Sequence, residues 1–165
     1  MRAACSYKVG IAGRRERAAS APGDSFLTGG EMKTPAEIAM RTRGEMEAAV
    51  CEGISRFQQE YLGRGPKEIR AFLLGDLLVV RLQGVLTAAE QHLVQTLLPE
   101  KGRDLLKQVR TQLIELARPT LATMIRDATG VPAISLHHDI STVTGEEVIL
   151  FTLSGAPVVR EPAKK

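Results

Sequence analysis

Aromatic side chains are scarce in this chain, which has no tryptophan, four phenylalanines and two tyrosines among its 165 residues. The core is therefore predicted to be aliphatic. Proteins that hold single-stranded nucleic acid stack its bases on aromatic side chains. The shortage of aromatic residues argues against that class of function.

Cysteines and long apolar runs are also few. Cys5 and Cys51 are too few for a disulfide framework, which favours a reduced, cytoplasmic setting. No apolar run approaches the roughly 18 residues that span a bilayer, and the stretch 7–12 is too short and interrupted for a signal peptide. These absences predict a soluble cytoplasmic protein without a transmembrane segment.

Positive charge is concentrated at the two ends of the chain. Residues 1–34 carry six basic and three acidic side chains, and residues 160–165 carry three basic and one acidic. Residues 35–159 hold 13 basic and 15 acidic side chains, so the folded part is mildly acidic. Proteins that bind nucleic acid usually present a basic surface. The charge distribution therefore predicts that nucleic acid is not a partner.

Composition predicts one domain between two tails. Residues 1–33 mix Gly, Ser, Ala and Arg without periodicity and are predicted to form a disordered basic tail. Residues 34–153 are predicted to form the domain, and residues 154–165 a flexible tail. The first helix is predicted to open at the capping motif Thr34–Glu37 and to end at Gly63. Because Gly44 weakens its first part, the firm helix is expected from about Met46.

Two pairs of apolar runs predict two β-hairpins. Ile69–Leu74 and Leu77–Leu82 are joined by Gly75 and Asp76, a turn-forming pair, and Val131–Ile140 precedes Glu147–Leu153 across a loop that contains Gly145. Between the hairpins lie a short helix that opens at Thr87 with the capping residue Glu90 and a long helix that Pro119 is expected to kink or split. The long helix carries an apolar stripe that is expected to lie in the core: Leu105, Leu106, Val109, Leu113, Leu116, Ala117, Leu121, Met124, Ile125 and Ala128.

The order α-ββ-α-α-ββ predicts an α+β fold, a four-stranded, mostly antiparallel sheet made from two β-hairpins and covered by helices. The continuous apolar character of Leu77–Val80 and Val148–Leu153 predicts that these strands are central. A sheet face without helical cover would be buried in a dimer, so a homodimer is expected.

A polar cluster at the second hairpin is the first candidate ligand site. His137 and His138 are adjacent and point to opposite faces of a strand, so they are not expected to share a metal ion. His137 and Asp139 share a face, and Glu147 is expected to oppose them across the hairpin. No second ligand histidine stands at a diagnostic spacing, and no nucleophile or oxyanion donor can be assigned. The cluster, with Glu146, therefore predicts ligand binding without a metal, a cofactor or a catalytic residue, unless it only fixes the turn.

The loop after the first helix is the second candidate. Arg64 and Lys67 are basic, and they stand among the conformationally special residues Gly63, Gly65 and Pro66. The spacing matches no phosphate-binding fingerprint, because such loops follow a strand and this one follows a helix. Arg64 and Lys67 remain candidate anion ligands, while a simple helix stop explains the glycines and the proline equally well.

Three long segments resemble one bacterial family. They are GRGPKEIRAFLLGDLLVVRLQGVLTAAEQHL (63–93), KGRDLLKQVRTQLIE (101–115) and SLHHDISTVTGEEVILFTL (135–153). They are similar to the MpsC-like domain, named for the C component of the Na+-translocating membrane-potential-generating system. The resemblance covers about residues 43–153, and no catalytic residues come with it. It implies a small protein associated with an ion-translocating membrane subunit and a partner for inorganic-carbon uptake.

Two functions are therefore weighed. The first is a non-catalytic accessory or regulatory protein, a homodimer that serves an ion- or bicarbonate-transport system and contacts an ion-translocating subunit at the inner face of the membrane. The alternative is a small cytosolic anion-binding protein or enzyme that uses Arg64 and the His137–Asp139 cluster. An accessory protein needs an exposed complementary surface, whereas a ligand-binding protein needs a concave pocket with converging polar groups.

Overall fold

The computed structural model describes residues 7–8, 41–96 and 99–160. The predicted helix opening at Thr34 lies outside these residues. Three helices and five strands follow one another along the described chain: β1 (Tyr7–Lys8), α1 (Arg43–Leu62), β2 (Glu68–Leu74), β3 (Leu77–Gln83), α2 (Ala88–Thr96), α3 (Pro99–Thr129), β4 (Ala133–Ile140) and β5 (Glu146–Leu153).

Helix α1 begins three residues before the predicted firm start at Met46, because Thr42 caps it. The Thr42 hydroxyl accepts from the Glu45 amide at 3.3 Å, and the Glu45 carboxylate accepts from the Thr42 amide at 2.6 Å. This reciprocal pair satisfies two amides that have no partner inside the helix. The helix ends at Gly63, which takes a φ of 71°, as a C-terminal glycine is expected to do.

The sheet confirms the predicted α+β fold. All neighbouring strands are antiparallel, in the order β1-β2-β3-β5-β4, so the two apolar strands predicted to be central, β3 and β5, do lie inside the sheet. Gly75, with a φ of 65°, turns β2 into β3 as predicted. The two-residue strand β1 pairs with β2 and was not predicted. On the other edge, the register of β4 shifts between Ala133 and Ser135.

Strand alternation divides the sheet into two different faces. In β5 every second residue is buried, and β2 and β3 alternate in the same way. The buried set packs with the helices around an aliphatic core, and its strand members are Ile69, Ala71, Leu73, Leu78, Val80, Leu82, Leu136, Ile140, Ile149, Phe151 and Leu153.

The opposite face of the sheet remains partly exposed, and we call it the open face. None of its residues in β2, β3 or β5 is buried. Its apolar members are Phe72, Leu74, Leu77, Val79, Val148 and Leu150, of which Leu74 is 59% exposed. An apolar strip of this kind on a described surface is typical of a contact with another protein.

Helix α3 corrects two predictions. Pro119 lies inside a helix that continues from Pro99 to Thr129 and is not split. The predicted apolar stripe belongs to two different faces, because Leu105, Val109 and Leu116 are exposed whereas its neighbours Leu106 and Leu121 are buried. The buried face runs at helical spacing through Leu106, Arg110, Ile114, Ala117, Leu121, Ile125 and Ala128.

The chain continues along the domain after β5. The Arg160 amide donates to the Arg41 carbonyl at 3.0 Å, Pro157 is buried, and Val159 packs against the core. These contacts join residues 154–160 to the start of α1. The domain limits at 34 and 153 stay a prediction.

Candidate functional site

The residues predicted to bind a ligand lie in three separate environments. Arg64 supports a loop, Lys67 and Glu146 line a groove at the end of the open face, and His138 is buried beneath the helices, whereas His137 and Asp139 are exposed. The contacts of each group show what it is available to do.

Arg64 has an internal partner. Its guanidinium donates to the Leu86 carbonyl at 3.0 Å, which joins the loop after α1 to the segment before α2. The neighbouring residues Gly63, Gly65 and Pro66 make the helix stop that sequence reasoning gave as the alternative, and Pro66 is buried. This contact gives Arg64 a structural role in the present geometry.

Lys67 and Glu146 are brought together in a groove of about 590 Å³. Glu146 pairs with Arg81, whose Nε donates to it at 2.8 Å. The Lys67 side chain lies so close to Gly84 that a Cβ atom at position 84 would come within 2.7 Å of the Lys67 Cδ. Its ammonium has no hydrogen-bond or ion-pair partner within the described chain. The groove is thus a shallow, mixed-charge feature at the end of β2, β3 and β5.

Asp139 pairs with a residue of α3 and not with the histidines. The Lys107 ammonium donates to its carboxylate at 2.7 Å, and this hydrogen bond is the main cause that lowers the pKa of Asp139. Glu147 was predicted to oppose His137 and Asp139, but it points to the helix-covered face of the sheet. Its register partner in β4 is Ile140. The expected cluster is therefore divided between two faces of the sheet.

Replacing Lys107 by methionine is expected to raise the pKa of Asp139 towards its ordinary value of 3.8. A carboxyl with a lowered pKa in the folded state stabilises the fold above that value and loses this contribution as the pH falls through the folded-state pKa. Because the pair is exposed, the loss is expected to stay below about 1 kcal/mol. An NMR titration of Asp139 in both proteins measures the shift, and equal pKa values would contradict the pairing.

The most developed polar arrangement is a buried network around Glu147. One oxygen of this carboxylate is 2.8 Å from the His138 Nε2, and the other accepts from Gln58 at 2.9 Å and lies 3.4 Å from the Arg110 guanidinium. Arg110 also makes a two-pronged pair with Glu90, at 2.8 and 2.9 Å. The side chains of Glu147, Arg110 and His138 are 0, 1 and 4% exposed.

Each member of the network comes from a different element. Gln58 lies on α1, Glu90 on α2, Arg110 on α3, His138 on β4 and Glu147 on β5. The network therefore ties every described helix to the second hairpin. Charges buried this deeply are stable only with partners, since desolvation of an unpaired ion costs several kcal/mol.

One atom of the network has no partner. The Nδ1 of His138 is buried and makes no hydrogen bond within the described chain. Buried polar atoms are almost always paired, so an exception calls for an explanation. The other ring nitrogen, Nε2, contacts the Glu147 carboxylate. Within the described chain the ring therefore has a hydrogen-bond partner at Nε2 and none at Nδ1.

Sequence reasoning named His138 and Glu147 but did not pair them, and it missed Gln58 and Arg110 as their neighbours. Glu90 was identified only as a capping residue, and that role is confirmed, since its carboxylate accepts from the Thr87 amide at 2.7 Å. Arg110 carried a signal that was not used, because it stands at a buried position of α3, four residues after Leu106 and four before Ile114. A charged residue at such a position is buried only when it is paired.

The network and the groove both lie inside a segment that a family model matches. The model is described as "Na+-translocating membrane potential-generating system (MpsC)", and it matches residues 42–155. The chain belongs to the MpsC family. A Bacillus subtilis (strain 168) protein named "Uncharacterized protein YbcI" is 33% identical over 113 residues, which cover 68% of this chain and 89% of that protein.

Membership of the MpsC family confirms the resemblance seen in the three sequence segments. No solved structure matches the chain. Among the helices described, none combines the length and the apolar character that crossing a bilayer requires. In the described residues, no three His, Cys, Asp or Glu side chains are grouped so as to hold a metal ion.

Proposed function

We propose that this MpsC-family chain is a non-catalytic accessory or regulatory component of a Na+-translocating, membrane-potential-generating system. It acts at the cytoplasmic face of the membrane, in ion or bicarbonate transport, by binding other proteins. The description of the family supports the membrane system. The distribution of polar and apolar side chains supports a role in protein binding.

The proposal rests on one observation: the candidate polar side chains contact other groups of the same chain, whereas several large apolar side chains are exposed to solvent. Arg64, His138 and Asp139 each contact another group of the same chain. A ligand site needs polar groups that converge on an empty pocket, and these three do not converge. Apolar side chains, by contrast, are left at two surfaces, the open face and the exposed stripe of α3, which consists of Leu105, Val109 and Leu116.

The open face is the surface that we assign to a homodimer. Its charged side chains are already paired within the chain, Arg70 with Glu68 at 2.7 Å and Arg81 with Glu146. The face therefore has little excess charge with which to select a charged partner, while its centre is apolar. A neutral apolar patch is well suited to contact an identical patch across a two-fold axis.

The exposed stripe of α3 is the surface that we assign to the membrane subunit. Leu105, Val109 and Leu116 follow one another by four and seven residues, so they share one side of the helix. Leu116 is 79% exposed, which is unusual for a leucine in a long amphipathic helix. A helix of the partner is expected to dock along this stripe.

Crosslinked co-purification of the tagged full chain from membranes and from cytosol tests the proposal. Recovery of an ion-translocating membrane subunit is expected, and Leu116→Asp is expected to abolish it while the dimer persists. Val79→Asp, on the open face, is expected to convert the dimer to monomer in analytical ultracentrifugation, since it buries a charge in the interface.

Leu74→Ala, a milder change at the rim of the open face, is the matched control and is expected to leave the dimer intact. Recovery of the protein alone, entirely from cytosol, would contradict the accessory role and favour the alternative of a cytosolic anion-binding protein or enzyme that uses Arg64 and the His137–Asp139 cluster. A monomeric wild-type protein would contradict the dimer but not the membrane role.

A further inference from the structure

Helix α2 buries little of its own surface in the domain and joins the buried network through Glu90. It contains no buried residue, and Val94 is its one side chain that packs, partly buried, against the described core. Its Glu90 makes the two-pronged pair with Arg110. A helix with so little apolar burial depends strongly on such a contact, because burial normally supplies most of a helix's stability.

The charges of the network do not balance unless His138 carries a proton. Arg110 is one cation between two carboxylates, those of Glu90 and Glu147, and Gln58 is uncharged. With a neutral His138 the group carries one excess negative charge in a buried place. A protonated His138 brings the total to zero, which buried groups strongly favour.

The distances show how Arg110 is divided between the two carboxylates. Arg110 is close to Glu90, at 2.8 and 2.9 Å, and is farther from Glu147, at 3.4 Å. His138, at 2.8 Å, is therefore a nearer neighbour of Glu147 than Arg110 is. In this arrangement Arg110 is free to hold α2 because His138 serves the buried carboxylate.

We propose that the His138–Glu147 pair is a proton-binding site that controls the attachment of α2. When the pair loses its proton to solvent water, Arg110 is the one cation left for two carboxylates. Glu147 is 0% exposed and cannot be solvated, whereas Glu90 is 22% exposed and can be. Arg110 then turns to Glu147, and α2 loses its main tie to the domain.

The unpartnered Nδ1 is the atom at which the proton enters and leaves. No hydrogen bond has to break there, because that nitrogen has no partner in the described structure. Nε2 meanwhile keeps its contact with Glu147 and holds the ring in place. A buried ring nitrogen without a hydrogen-bond partner otherwise only destabilises the fold.

Other charged groups near the network do not replace His138. Lys107 of α3 is paired with Asp139 of β4 on the exposed side of the hairpin. Asp139 senses the charge of His138 only as a minor influence. The histidine contacts Glu147 of β5, and Glu147 in turn contacts Gln58 of α1 and Arg110 of α3. Glu90 of α2 joins the network through Arg110, and the Lys107–Asp139 pair lies beside it. Such a proton switch regulates the domain itself and does not depend on the membrane partner.

Hydrogen–deuterium exchange of the full chain between about pH 5 and about pH 9, the range around histidine titration, tests the proposal. After correction for the intrinsic exchange rate, protection of residues 88–96 is expected to fall about tenfold or more towards high pH, as local opening becomes easier. His138→Gln keeps a donor but cannot titrate, and is expected to remove the pH dependence. His137→Gln, on the exposed side, is the matched control and is expected to behave as wild type.

A pH-independent protection of residues 88–96 in the wild type, or the same pH dependence in His138→Gln, would overturn the proposal. If His138→Gln does not fold, NMR of the wild-type imidazole nitrogens replaces it. The titration of the His138 ring is then expected to coincide with the change in exchange of α2. A ring that stays in one protonation state while α2 opens would equally overturn it.

Discussion

Arg110→Met is expected to lower the free energy of unfolding by about 3–5 kcal/mol, because it removes a buried cation that two carboxylates share. Arg110 is 1% exposed and touches Glu90 and Glu147. Methionine fills a similar volume, so the loss comes mainly from charge and hydrogen bonding. Urea-induced unfolding, followed by circular dichroism at neutral pH, measures it.

Lys107→Met is the control for this substitution, since Lys107 stands three residues earlier on the same helix and pairs with the exposed Asp139. Its cost is expected to be below about 1 kcal/mol. Equal losses from the two variants would show that the buried network does not stabilise the fold. If adding Glu147→Gln to Arg110→Met restores the free energy of unfolding, the loss in Arg110→Met is due to the unpaired Glu147 carboxylate.

Phe151→Ala is the other substitution with a large expected effect, about 3–5 kcal/mol of unfolding free energy. Phe151 is 0% exposed and lies on the helix-covered face of β5, where its removal leaves a cavity among aliphatic side chains. Thermal and urea unfolding of the variant measure the loss.

Its neighbour Leu150 provides the comparison, because alternate residues of a strand point to opposite faces. Leu150→Ala is expected to cost the monomer about 1 kcal/mol or less, since surface substitutions have small effects. On the open face it is expected to weaken the dimer instead. Similar losses from both variants in the monomer would contradict the assignment of the two faces.

The sequence predicted most helices and strands of this fold, because caps, turns and helix stops depend on residues that are close together in the chain. The capping pair Thr87 and Glu90, the turn at Gly75 and the helix stop at Gly63 each depend on residues close in sequence, and each is found in the structure. The split expected at Pro119 was wrong, since α3 continues from Pro99 to Thr129 and its buried face runs past the proline through Ala117 and Leu121. A kink at Pro119 stays a prediction.

The buried network was beyond sequence reasoning for the opposite reason. Its five members come from five elements, and only the tertiary fold brings Gln58 to Glu147, 89 residues later in the chain. The pattern of α3 shows why the stripe was misjudged, since leucine on an exposed face and arginine on a buried one both break the expected periodicity. Such exceptions mark places where a contact with a partner, or a buried ion pair, determines the residue.

The shifted register of β4 affects how well the edge of the sheet can pair with a strand of another chain. β4 is an outer strand, and a regular outer strand is a template on which further strands add and grow into aggregates. The shift between Ala133 and Ser135 interrupts that template, and the Lys107–Asp139 pair places charges near its far end. The irregular backbone and the charges therefore disfavour the addition of further strands at this edge of the sheet.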